Sequence, residues 1–80
     1  LFRSASYTLL KLEYPQMSLA EADAVLQKSV RENDVWGISE KEELFLILSQ
    51  TDRKVLPIIL ARLEKGGFIC HEIDAVESAD

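Results

Sequence analysis

Hydrophobic and polar positions divide the chain into six short elements. Tyr7 to Tyr14 (YTLLKLEY) is rich in aromatic and aliphatic residues and is stopped by Pro15, which predicts a first strand. Ser18-Leu19-Ala20-Glu21 has the form of a capping box, a serine followed three residues later by glutamate. From there Ala22, Val25, Leu26 and Ser29 recur at helical spacing, predicting a helix over about 19–32. Two strand-like runs follow, Asp34 to Ser39 and Glu43 to Ser49, with a polar Glu40-Lys41-Glu42 turn between them. A second helix opens near Thr51-Asp52, with Val55, Leu56, Ile59, Leu60 and Leu63 as its stripe. Pro57 suits only its first turn, since farther in it would remove a donor and clash with the preceding turn. The start is therefore expected to be frayed or offset near Asp52 to Lys54. Gly66-Gly67 supply a left-handed end. Phe68 to Ile73 forms the last strand, and 74–80 reads as a loose tail.

The order β, α, β-hairpin, α, β predicts an α+β fold. It is the ferredoxin-like βαββαβ arrangement, a four-stranded antiparallel sheet with both helices on one face. In such a fold the helix-free face should be polar at alternate positions. The third strand breaks that rule, because Leu44, Leu46 and Leu48 are apolar and so are Phe45 and Ile47. A strand apolar on both sides is normally covered on both sides. Phe45 and Ile47 are therefore the expected interface residues. A neighbouring domain, a protein partner or a second copy in a homodimer would cover them.

Composition narrows the partners. Fourteen acidic residues against nine basic ones give a net charge of −5. Affinity for polyanions comes mainly from Lys/Arg–phosphate contacts, so the reading is no nucleic acid. The single Cys70 allows no internal disulfide and no zinc cluster. Its neighbour His71 would point to the opposite strand face, so a nucleophile–base pair is not expected. No cofactor is implied. No apolar run is long enough to cross a bilayer, and the first residues lack the pattern of a signal peptide. A cytoplasmic location follows as the expectation, with 1–80 a single domain excised from a longer protein.

One segment carries a resemblance. Arg31 and Asp34 stand three apart. After a gap of five residues from Asp34 comes Glu40-Lys41-Glu42-Glu43-Leu44, and then an apolar strand. In order and spacing this resembles the core of the GGDEF family, whose members make cyclic di-GMP from GTP. The family pattern is an Arg-x-x-Asp motif, a five-residue gap, the GGDEF or GGEEF signature, and a strand. The likeness covers roughly residues 7 to 73. It implies a degenerate, catalytically inactive member. The signature's glycines let the nucleotide approach the backbone, whereas Glu40 and Lys41 place side chains there. Glu42 and Glu43 match the acidic pair. Glu13 is the only match for the metal-binding carboxylate of strand 1, and two-metal phosphoryl chemistry needs carboxylates from both strands.

What the likeness would preserve is the regulatory site. In the family the Arg-x-x-Asp pair binds cyclic di-GMP away from the catalytic centre. A guanidinium can fork onto guanine O6 and N7 or onto phosphate, and a carboxylate can accept from guanine N1 and N2. The expected function is thus a non-enzymatic receptor domain holding cyclic di-GMP through Arg31 and Asp34. The alternative is a protein-interaction domain without nucleotide, and an amino-acid-binding domain of the ACT type ranks behind both. The plain structural alternative for Arg31 and Asp34 is a local ion pair at a helix end.

Overall fold

The computed structural model describes residues 7–49 and 54–76, with side chains described through residue 74. Six elements follow in order: β1 (Tyr7–Glu13), α1 (Leu19–Ser29), β2 (Val35–Ile38), β3 (Leu44–Ser49), α2 (Leu56–Lys65) and β4 (Ile69–Val76). The strands form one sheet in the order β2-β3-β1-β4, with every neighbouring pair antiparallel. This is the βαββαβ ferredoxin-like arrangement. Both helices cover one face, because Ala22 and Leu26 of α1 and Leu56, Ile59 and Leu63 of α2 share a core with Leu10, Leu12, Leu44, Leu46 and Leu48.

α1 starts where its cap predicts. Ser18 Oγ accepts from the Glu21 N–H at 3.2 Å, and Glu21 Oε1 accepts from the Ser18 N–H at 3.0 Å. The helix ends at Ser29 rather than near 32. A continued helix would send the Arg31 N–H back to the Gln27 carbonyl. It donates instead to Asp34 Oδ2 at 2.9 Å, so a nearby carboxylate outcompetes the helical ladder.

α2 begins late, with Pro57 in its first turn, where the missing N–H costs nothing. The expected opening at Thr51-Asp52 lies outside the described residues. Its end is a Schellman motif. The Phe68 N–H donates to Leu63 O at 3.1 Å and the Gly67 N–H to Glu64 O at 3.0 Å, with Gly67 at φ 108°. Phe68 and Leu63 are both buried.

β4 corrects the expected loose tail. It continues to Val76 because 74–76 pair with 7–9 of β1, across a register shift between Leu9 and Leu10. That pairing partner lies far away in the chain, so local pattern could not reveal it. Cys70 lies across β4 from Leu12 on the helix-facing side, and burial pushes its thiol up to about 11. His71 faces the other way, with Nε2 3.3 Å from Glu13 Oε1. The imidazole therefore does not lie beside the thiol. Among the described residues no helix is long and apolar enough to cross a membrane.

The β2–β3 hairpin has a three-residue loop. The Glu42 N–H donates to Ser39 O at 3.0 Å, and the Ser39 N–H to Glu43 O at 2.9 Å. Glu42 has φ 60°, the left-handed position that closes such loops and usually takes glycine. Glu42→Gly should therefore stabilise the domain by up to about 1 kcal/mol, read as a higher urea midpoint at constant slope. A lower midpoint would mean the glutamate is held by something beyond its backbone.

Candidate functional site

Arg31 and Asp34 flank the turn from α1 to β2, and that turn brings them together. Arg31 Nε lies 3.1 Å from Asp34 Oδ2 and one terminal nitrogen lies 3.0 Å from Oδ1, a bidentate fork. The same terminal nitrogen donates to Ser49 O at 2.9 Å, and the Ser49 N–H reaches Asp34 Oδ1 at 3.4 Å. The pair thus ties the α1–β2 turn to the end of β3. Exposure differs sharply between them: the Asp34 side chain is 1% accessible and that of Arg31 41%. The guanidinium meets solvent. The carboxylate faces inward, and both its oxygens already accept hydrogen bonds.

Of the five residues at the signature position, Glu40, Lys41 and Glu42 form the hairpin loop, Glu43 closes it against Ser39, and Leu44 opens β3. Leu44 is buried in the core. Ser39 Oγ accepts from the backbone of Lys41 and Glu43, which fixes the loop from within. The Tyr14 hydroxyl donates to Glu42 O at 2.8 Å and joins the loop to the end of β1. Glu43 Oε2 meets Lys11 Nζ at 2.8 Å, so this carboxylate is engaged by a cation of the neighbouring strand. Glu13 is engaged by His71 on the other side. Among the described residues no group of three or more His, Cys, Asp or Glu is placed to hold a metal ion.

The Lys11 partnership holds the Glu43 carboxyl below its ordinary 4.5, and the Ser18 backbone does the same for Glu21. A lowered folded-state value contributes stability that is present above 4.5 and disappears as pH falls through the folded value. The urea midpoint should therefore drop between pH 5 and pH 3, and Glu43→Gln should flatten part of that drop. An equal drop in the variant would show that the Lys11 partnership does not matter to folding.

Phe45 and Ile47 lie on the sheet face away from the helices. Cross-strand register builds two apolar-to-polar rows there, Val35–Ile47–Leu9–Asp74 and Gly37–Phe45–Lys11–His71. Ile47 is 41% accessible and Val35 60%, and Tyr7 is exposed beside them. Phe45 is half-buried. Because Gly37 has no side chain, the face sinks beside Phe45 into a hollow of about 340 Å³, edged by Val35, Ser39 and Ile47. The face is thus divided: apolar around Val35, Ile47, Leu9 and Phe45, polar around Lys11, Glu13, Glu43 and His71.

Sequence reasoning missed one contact of consequence. Trp36 Nε1 donates to Asp23 Oδ1 at 3.0 Å, and Gln27 Nε2 to Oδ2 at 2.9 Å, joining α1 to β2. Asp23 and Gln27 are one helical turn apart, a visible signal, but nothing local pairs either with Trp36. No protein-family model matches the chain, and no curated protein sequence matches it, so the GGDEF likeness rests on its residues alone.

Proposed function

We propose that the chain is a non-catalytic protein-interaction domain whose open sheet face packs on the same face of a second copy. The observation that supports this is the exposed apolar group on that face, Val35, Ile47 and Tyr7, with Leu9 half-buried among them, beside a hollow at Gly37. Val35 and Ile47, both exposed, edge the hollow, so projection and notch lie side by side on one surface. A two-fold interface needs such self-complementarity, because each copy must supply both parts. Sheets stack face to face at about 10 Å through apolar side chains of this kind. The charged half carries both signs, Lys11 against Glu13 and Glu43, so a rotated copy can set the Lys11 of one chain against a carboxylate of the other.

Sedimentation equilibrium tests the reading. A concentration-dependent doubling of mass is expected, with Ile47→Lys leaving a folded monomer. A wild-type chain that stays monomeric at millimolar concentration overturns it.

A second reading is a receptor for cyclic di-GMP at Arg31 and Asp34. It draws support from their convergence at a helix–strand junction and from the solvent-facing guanidinium. It requires the Asp34 carboxylate to exchange Arg31 for a guanine edge, which makes it the less favoured of the two. Calorimetric titration should give saturable heat in the wild type and none in Arg31→Ala. No heat with micromolar ligand rejects this reading.

A further inference from the structure

The two edges of the sheet differ. β4, at one edge, carries His71, Glu72 and Asp74, and its ladder with β1 is interrupted by a register shift. Charges and irregular ladders are the usual devices that keep other strands off an edge. β2, at the other edge, is Val35-Trp36-Gly37-Ile38, with no charge, no proline and an unbroken register against β3. The Ser39 N–H donates to Glu43 O, and antiparallel ladders alternate. Val35 and Gly37 therefore turn their backbone groups toward β3, and Trp36 and Ile38 turn theirs outward. A Cβ added at Gly37 would meet nothing within 4 Å, so no described residue packs over the open-face side of the strand there.

A groove runs along this edge on the helix side. It has a volume of about 570 Å³ and is walled by Leu19, Ala20 and Asp23 of α1 and by Trp36, Ile38 and Leu44 of the sheet. Leu19 and Ile38 are exposed in it. Among the described residues Asp23 is the only charged one of the lining, and Trp36 Nε1 donates to its carboxylate. An indole beside a carboxylate suits a cationic side chain. The hairpin at the groove's end adds Glu40 and Glu42 against Lys41, so the surroundings are acidic as well.

We propose that β2 is an acceptor strand for an extended peptide, apolar with one basic residue on the face that enters the groove beneath α1. The peptide would hydrogen-bond to the outward backbone groups of Trp36 and Ile38. Its alternate side chains would fill the space between Leu19 and Ile38 and place a cation at Asp23. Main-chain bonds supply affinity in this mode, and the pocket supplies selectivity. A second copy pairing through the same edge would bring two Asp23 carboxylates together near the two-fold axis. Like charge opposes that arrangement.

The test is an amide-resolved NMR titration of the full chain with the capped hexapeptide Thr-Val-Thr-Lys-Thr-Val, whose Val, Lys and Val share one face. Shifts are expected at Leu19, Trp36 and Ile38, and the analogue with glutamate for lysine should bind at least about fivefold more weakly. Ile38→Pro should abolish binding with the fold retained, since a proline on an edge strand sacrifices only an outward donor. Should that variant fail to fold, Asp23→Asn serves instead, and the preference for lysine over glutamate should fall below twofold. Ile58→Lys, at an exposed position of α2, should leave binding unchanged. No shifts at millimolar peptide, or equal binding of the two peptides to the wild type, would overturn the proposal. So would a dimer that Ile38→Pro dissociates, because β2 would then be pairing with itself.

Discussion

Leu46→Ala is expected to remove about 2–5 kcal/mol of folding stability, the cost of deleting a fully buried leucine and leaving a cavity. Leu46 lies in the middle of β3 with Leu10 on one side and Trp36 on the other, and it has no solvent contact. A chain of this length has roughly 4–12 kcal/mol to lose, so the variant gives up a large share of its stability. Ile47→Ala, one residue along in the same apolar run, should cost under about 1 kcal/mol, since its side chain already meets water. Urea unfolding of the two variants is the comparison. Equal losses would mean that the open face is as enclosed in solution as the core.

Asp34→Ala should be the second most damaging change, at about 2–3 kcal/mol. Its carboxylate accepts from the Arg31 N–H, from two guanidinium nitrogens and from the Ser49 N–H. Truncation takes the acceptor from all four, in a place where the side chain is almost sealed from water. Asp34→Asn keeps one acceptor oxygen and should lose less. Arg31→Lys should also be costly, because an ammonium cannot reproduce the fork. Thermal or urea unfolding of the three variants decides between a structural clamp and a ligand site. A loss below about 0.5 kcal/mol for Asp34→Ala would show that the fold does not depend on this carboxylate, and would favour a binding role.

These two residues show how differently sequence can speak. Leu46 was legible as core from its place in an apolar strand, although the run Leu44 to Leu48 did not say which face met the helices. Arg31 and Asp34 were legible as a pair. Their roles were not, because the Ser49 backbone that completes the arrangement arrives from another strand. The capping box at Ser18 and Glu21 and the glycine end at Gly67 formed as expected, since each depends on neighbours within a turn. The ends of α1 and β4 moved for the opposite reason. A carboxylate three residues away captured the Arg31 N–H, and β1 captured 74–76.

By itself, then, the order of apolar and polar residues determined the six elements, their sequence along the chain and the ferredoxin-like arrangement that connects them. Helical spacing, strand runs and caps are short-range properties, and right-handed crossovers leave few ways to assemble them. Only the tertiary structure decided that Asp34 turns inward, that Gly37 opens a hollow beside Phe45, and that Trp36 closes on Asp23. Each depends on which distant backbone or side chain comes to lie a few ångströms away, and that distance is set by sheet register and helix placement rather than by neighbours in sequence.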